Sequence, residues 1–208
     1  MTELRLVGRS SSHFTRVTRL FAHELNVPLE LEVMRDMKST SADSFAGNPA
    51  AKIPILCAGQ SRLWGAENIC RRLVELAGPS VPRVVWPEQL TADVARNAQE
   101  LTWYAMSAQV QWVMGTVIGN SPADGLLFVK AREGLSRSLA WLDAHVDEVR
   151  ALLPPPPRLS LFEVTLFCLV EHLAFRPTVP LDGLAKLAAF RSELAARPSA
   201  QATAFRFD

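Results

Sequence analysis

"LRLVGRSSSHFTRVTRLFAHELNVPLELEV", residues 4–33, passes from one periodicity to another and back within thirty positions. Leu4, Leu6 and Val7 form a short apolar run that stops at Gly8, which reads as a strand. Phe14, Val17, Leu20, Phe21 and Leu25 then recur every three or four residues and line one face of a helix. Asn26 is a helix stop, and Pro28 cannot sit in a helix interior. Leu29, Leu31 and Val33 alternate with Glu30 and Glu32, the pattern of a half-buried strand. The unit is βαβ. Its first corner carries three serines and His13. A short polar side chain there can cap the helix. It can equally hold a nucleophile over the positively polarised helix end. The stretch alone leaves both roles open.

Working outward, residues 35–52 ("RDMKSTSADSFAGNPAAK") form a polar connection with a turn at Gly47, Asn48 and Pro49. "IPILC" (53–57) is a compact apolar strand with an irregular start, because Pro54 removes a ladder donor; an X-Pro bond there is open to the cis form. "AGQSRLW" (58–64) reads as a hairpin turn and another strand. In "GAENICRRLVELAG" (65–78), Ile69, Leu73 and Leu76 share a helix face, and Gly78 with Pro79 ends it. Residues 79–89, rich in proline and without periodicity, read as a linker, separating residues 1–78 from 90–208.

From Leu90 onward every segment reads helical. Leu101, Tyr104, Ala105, Ala108 and Trp112 fall on one face, and Leu127, Ala131, Leu135, Leu139 and Leu142 repeat that spacing. Pro154–Pro157 is a stiff break between helices. After it, Ser160 as N-cap, Glu163 as the third member of a capping box, and Leu159 with Val164 as a staple start a new helix. That helix is apolar nearly all round, which predicts a buried position at the centre of the helical part.

The composition is that of an ordinary globular chain, with 22 basic against 21 acidic residues in 208. This near-balance gives no electrostatic reason to expect nucleic acid or an anionic membrane as partner. Cys57, Cys70 and Cys168 are too few and too scattered for a disulfide framework or a zinc site, so no metal is expected. With a charged N-terminus and no membrane-length apolar run, a cytoplasmic setting is the expectation.

The order βαβ, connection, ββα, then helices resembles that of the cytosolic glutathione S-transferases, in particular the bacterial type with serine at the catalytic corner. "GRSSSHFTRV" resembles the family's strand-to-helix corner, and "NPAAKIPIL" its stretch with a cis proline. "LSLFEVTLF" resembles the core helix of its C-terminal domain, and "RPSAQATAF" its closing tail. The resemblance covers essentially the whole chain. It implies an α/β thioredoxin-like N-terminal domain with a mixed four-stranded sheet, followed by an all-α domain. It also implies glutathione as co-substrate, a small hydrophobic electrophile as acceptor, a detoxification role and a homodimer.

Carried over residue by residue, the resemblance makes Ser12 the group that stabilises the glutathione thiolate, with Ser11 the neighbouring alternative. A hydroxyl can donate to a thiolate, and a helix N-terminus favours the anion. His13 and Phe14 stand where the family has proline and an aromatic residue, and His13 is expected to be exposed. Thr15 holds the place of the second cysteine of a redox relative, so dithiol exchange is excluded. Ile53 and Pro54 would offer backbone groups to the cysteinyl part. The family's acid–serine pair, which grips the γ-glutamyl end, falls on Gly65 and Ala66. The helix N-terminus there still offers N–H groups, and Glu67 is the nearest acid for an ammonium. Tyr104, Ser107 and Gln111 are the acceptor-pocket candidates. His145 and His172 have no matching acid or cysteine and read as structural. A glutathione-dependent isomerase is a related variant. The reading from a different class is a binding or scaffold protein that kept the fold and lost glutathione.

Overall fold

A computed structural model of the chain describes residues 3–79 and 82–208. It divides into two compact units, one of the residues up to Pro82 with Ala196–Asp208, the other Arg83–Ala195. In the first unit, β1 (Leu4–Gly8), α1 (His13–Glu24) and β2 (Glu30–Val33) form the crossover, with β1 and β2 parallel. β3 (Ile55–Ala58) and β4 (Ser61–Trp64) form a hairpin, and α2 (Ala66–Ala77) follows. The sheet order is β2-β1-β3-β4, with β3 antiparallel to both of its neighbours.

The two sides of this sheet are covered differently. A Cβ added to Gly8 would lie 2.6 Å from Thr15 Oγ1, so α1 packs on the face that Gly8 shares with Leu6, and α2 packs beside α1. Val7, Ile55 and Cys57 point the other way, into a core closed by Met34 and Phe45. Phe45 ends a 3-10 turn, Ala42–Phe45, inside the connection that reads as polar in sequence. Phe45 and Met34, with Met37, Ala46 and Ala51 packed against the same cluster, cover this face. Leu76, expected on the buried face of α2, is exposed instead, because it lies in the last turn, beyond the buried residues Ile69, Cys70 and Leu73.

In the second unit, β5 (Arg83–Val85) pairs in parallel with β6 (Arg158–Ser160). The stretch read as a structureless linker therefore contains a strand, and the all-helical half contains its partner. Three-residue strands are too short for periodicity to reveal. The helices are α3 (Asp93–Trp112), α4 (Leu126–Leu152), α5 (Leu161–Phe175) and α6 (Ala185–Ala195). The last helix, α7 (Pro198–Ala202), belongs to the first unit. α3 runs into a π-helical turn, Val113–Ile118, where Gly115 lies against Phe128; a Cβ would fall 2.1 Å from that ring. Leu127, expected on the buried face of α4, is exposed because it lies in the first turn, ahead of the buried run that begins at Leu135.

α5 is buried over nearly its whole length, as its all-round apolar surface requires. Ser160 caps it by accepting from the Glu163 N–H. The Glu163 side chain does not complete the capping box. Its Oε1 accepts from Arg150 Nε at 3.0 Å and Arg158 Nη2 at 3.1 Å, and two half-desolvated guanidinium groups outbid one backbone donor. Arg150 also grips Glu193 with both Nη atoms, tying α4 to α6. Those hydrogen bonds hold its pKa above the usual arginine range. Cys57, Cys70 and Cys168 are buried, and none of them is in a disulfide.

Removing the Phe45 ring uncovers one face of the sheet. Phe45→Ala is expected to lower unfolding stability by about 3–5 kcal/mol in a urea titration, the usual loss for a fully buried aromatic.

Candidate functional site

The strand ladder decides which loops meet. Val7 pairs with Ile55, and Ile55 pairs with Trp64. The chain leaving β1, the chain entering β3 and the chain leaving β4 therefore project from one end of the sheet. Adjacent strands lie about 4.8 Å apart. Those three segments carry Ser12, Ile53–Pro54 and Gly65–Glu67, the three sequence-predicted elements of the first unit.

At the first segment, the Ser12 N–H donates to Arg9 O at 3.1 Å and closes a turn. Ser12 is the N-cap of α1, with extended φ and ψ of −100° and 125°. Its Oγ accepts from the Thr15 N–H at 3.3 Å, and its own hydroxyl proton goes to no described group. Capping and donation to a ligand are therefore compatible, since the first uses a lone pair and the second the proton. Ser11 and Phe14 are half-buried. His13, expected at the surface, is 1% exposed, with its ring edge-on to Phe14 at 4.8 Å between centroids.

The second segment has a cis Ile53–Pro54 bond. Asn48 shapes its approach: Nδ2 donates to Lys52 O at 2.7 Å and Oδ1 accepts from the Ala50 N–H at 3.0 Å. Ile53 precedes the first ladder pair, so its backbone N–H and C=O fall outside the β3 ladder. Those groups are the ones an extended ligand would pair with.

At the third, Gly65 has a φ of 87°, a conformation that glycine adopts without strain and an acidic residue would not. It caps α2 with no side-chain hydrogen bond. Ala66 is buried. Glu67 does not face the helix start: its Oε1 accepts from Arg71 Nε at 3.0 Å and Nη2 at 2.7 Å, one turn further along α2. An i,i+4 arginine outcompetes water for that carboxylate.

Tyr104, Ser107 and Gln111 lie on one face of α3 in the second unit. Tyr104 is 60% exposed, Ser107 exposed and Gln111 half-buried. A hydrogen bond to Glu100, then that carboxylate's charge, raises the Tyr104 pKa. His145 stacks on Trp141, and His172 pairs with the buried Gln109. Among the described residues no cluster of His, Cys, Asp or Glu could hold a metal ion, and no helix is long and apolar enough to cross a membrane.

Residues 11–76 match the family model "Glutathione S-transferase, N-terminal domain". The chain has the glutathione S-transferase fold. A glutathione transferase family member from Pseudomonas fluorescens Pf-5, solved with bound glutathione, aligns with a TM-score of 0.78 at 21% identity, covering 98% of this chain and 100% of that one. A glutathione S-transferase from Methylobacillus flagellatus, also with glutathione bound, aligns at 0.75 and 19% identity over 98% and 100% of the two chains. One from Methylobacterium radiotolerans, in complex with glutathione sulfonate, gives 0.75 and 20% over 100% and 97%. No curated protein matches the chain significantly.

Pattern reading passed over Ser10, Arg16 and Asp208. Ser10 and Arg16 are buried, and the Ser10 N–H donates to Asp208 Oδ2 at 2.8 Å across 198 residues of sequence. Nothing in local periodicity marks a contact of that span.

Tyr104 is the sole tyrosine of the chain, so its titration can be read directly by ultraviolet absorbance. The phenol is expected to ionise above pH 10, and Glu100→Gln to bring it back toward the ordinary value, because the cause of the shift is that carboxylate.

Proposed function

We propose that the chain is a glutathione S-transferase of the serine type, in which the Ser12 hydroxyl stabilises the thiolate of glutathione. The observation that carries this reading is the single ladder row that brings Ser12, Ile53–Pro54 and the start of α2 to one end of the sheet. Glutathione gives up its thiol proton to solvent, and the sulfur lone pair accepts the Ser12 O–H. The amide dipoles of α1 add positive potential. The thiolate then attacks an electrophilic carbon of a small hydrophobic acceptor. The bond to a leaving group breaks, or a carbanion forms and takes up a proton from water. Ser12 forms no covalent bond, and Ser11 is the alternative donor.

In this reading residues 1–78 bind glutathione, Ile53 pairs its backbone with the cysteinyl part, and Pro54 fixes that backbone. His13 and Phe14 pack the corner from inside. Tyr104, Ser107 and Gln111 of the helical domain, residues 90–208, contribute to the acceptor side. The protein acts as a cytoplasmic homodimer in detoxification of electrophiles.

A second reading has its own support. Gly65 and Ala66 provide neither carboxylate nor hydroxyl, and Glu67 is held by Arg71. A lost polar anchor weakens binding by about 1–3 kcal/mol, or ~5- to 150-fold. A scaffold protein that has given up glutathione would look the same at this helix.

Calorimetry with glutathione and turnover of a generic electrophile separate the two. The transferase reading predicts binding in the millimolar range or tighter, and a loss of turnover on the order of 10²-fold in Ser12→Ala. No binding at millimolar glutathione leaves the scaffold reading. Ala66→Ser is expected to return a hydroxyl to the start of α2 and tighten glutathione binding about fivefold, measured by the same calorimetry. Gly65→Glu is the wrong repair, because a side chain at a φ of 87° strains the backbone.

A further inference from the structure

The C-terminal stretch closes along the whole length of α1 through polar contacts. At the far end of the helix, Glu24 accepts from Ser199 Oγ, and Arg197 Nη1 lies 3.9 Å away. In the first turn, Arg16 is 1% exposed, with Nη2 donating to Ala200 O at 3.1 Å, Nε directed to Thr203 Oγ1 at 3.5 Å, and the guanidinium 4.4 Å from the centre of the Phe205 ring. At the near end, Asp208 Oδ2 accepts from the Ser10 N–H at 2.8 Å and lies 3.7 Å from Arg9 Nε, its side chain 6% exposed. Arg16 is one turn beyond Ser12, and its N–H donates to Ser12 O at 2.9 Å.

Burying charge is expensive, and apolar side chains would pack a tail onto a helix at lower cost. Charge-assisted hydrogen bonds add direction instead. The turn that carries Ser12 needs direction: its bonds include Ser12 N to Arg9 O, a long one from Arg9 N to Thr15 Oγ1 at 3.4 Å and Arg9 Nη1 to Arg35 O at 3.3 Å, and Asp208 adds a charge-assisted bond to the Ser10 amide. Around it, burial first and then Arg206 and Arg16 push the Arg19 pKa down, while Asp208 opposes them, so this carboxylate is the anion of a cationic cluster.

We infer that Asp208 and Arg16 are positioning residues, a latch by which the C-terminal stretch fixes the Ser12 corner in its donating geometry. Asp208 holds the turn before Ser12 by the Ser10 amide, and Arg16 locks the first turn of α1 behind it. Catalytic donors must be held within about 0.5 Å of their productive place. The kinetic consequence rests on the transferase reading of Ser12; the structural consequence does not.

The test uses the full chain with Asp208→Ala, Asp208→Asn and Asp208→Glu, read by amide hydrogen exchange at Ser10 and Thr15 and by steady-state glutathione conjugation. Asp208→Ala is expected to speed exchange at both amides about tenfold, and to lower kcat about tenfold with KM for glutathione nearly unchanged. Asp208→Asn keeps an acceptor without the charge, so about threefold is expected; it carries the test alone if the alanine variant does not fold. Asp208→Glu should restore part of both. Unchanged exchange at Thr15, or a uniform rise along α1 with the unfolding midpoint falling in step, overturns the latch. So does a change in KM alone. If the wild-type chain turns over no glutathione, it is the transferase reading that fails, and exchange at Thr15 decides the latch by itself.

Discussion

The missing side chain at Gly8 is the constraint on which the first unit turns. Any Cβ there would collide with Thr15 Oγ1 and Cγ2, at 2.6 and 2.7 Å. Its absence lets the first turn of α1 come down onto the end of β1. That close approach buries Thr15 and lets its N–H reach Ser12 Oγ. Once the helix starts there, its N-terminal amides point at the end of the sheet where β3 and α2 also begin. The site's electrostatics follow from one glycine.

Much of this was legible in sequence because it is written in periodicity. The strand at residues 30–33 and the helix before it show their burial in alternate or every third and fourth residue, the strand at residues 4–8 shows it in an apolar run, and α5 shows it in a surface apolar all round. The Ile-Pro start of β3 and the cap at Ser160 are written in residue chemistry. What escaped has no local signature. Phe45 sits alone in a serine-rich stretch, and only the uncovered sheet face explains its burial. β5 and β6 each specify three residues, and each becomes a strand only beside the other. His13 reads as a solvated helix start, yet it is buried with its ring edge-on to Phe14.

The candidate site divides the same way. Ser12 and the Ile53–Pro54 bond were legible because a cap and a pre-proline strand have fixed chemistry. The fate of Glu67 was not, since a carboxylate near a helix start and one paired with Arg71 differ only by a rotamer. The contacts of Arg16 with Ala200 and of Ser10 with Asp208 span more than 180 residues of sequence and belong to tertiary structure alone. At α2 the structure adds a reason for the glycine: the backbone at residue 65 turns through a φ of 87°. Glycine makes that turn unstrained.

The central claim is that the Ser12 hydroxyl and the start of α1 favour an ionised sulfur at this corner. The most direct measurement is the thiolate absorbance of bound glutathione as a function of pH, with Ser12→Ala as the comparison. The bound thiol is expected to ionise well below the ordinary value of about 8.5 in the wild-type protein, and close to it in the variant. A bound thiol that titrates at its ordinary value in both proteins would contradict it.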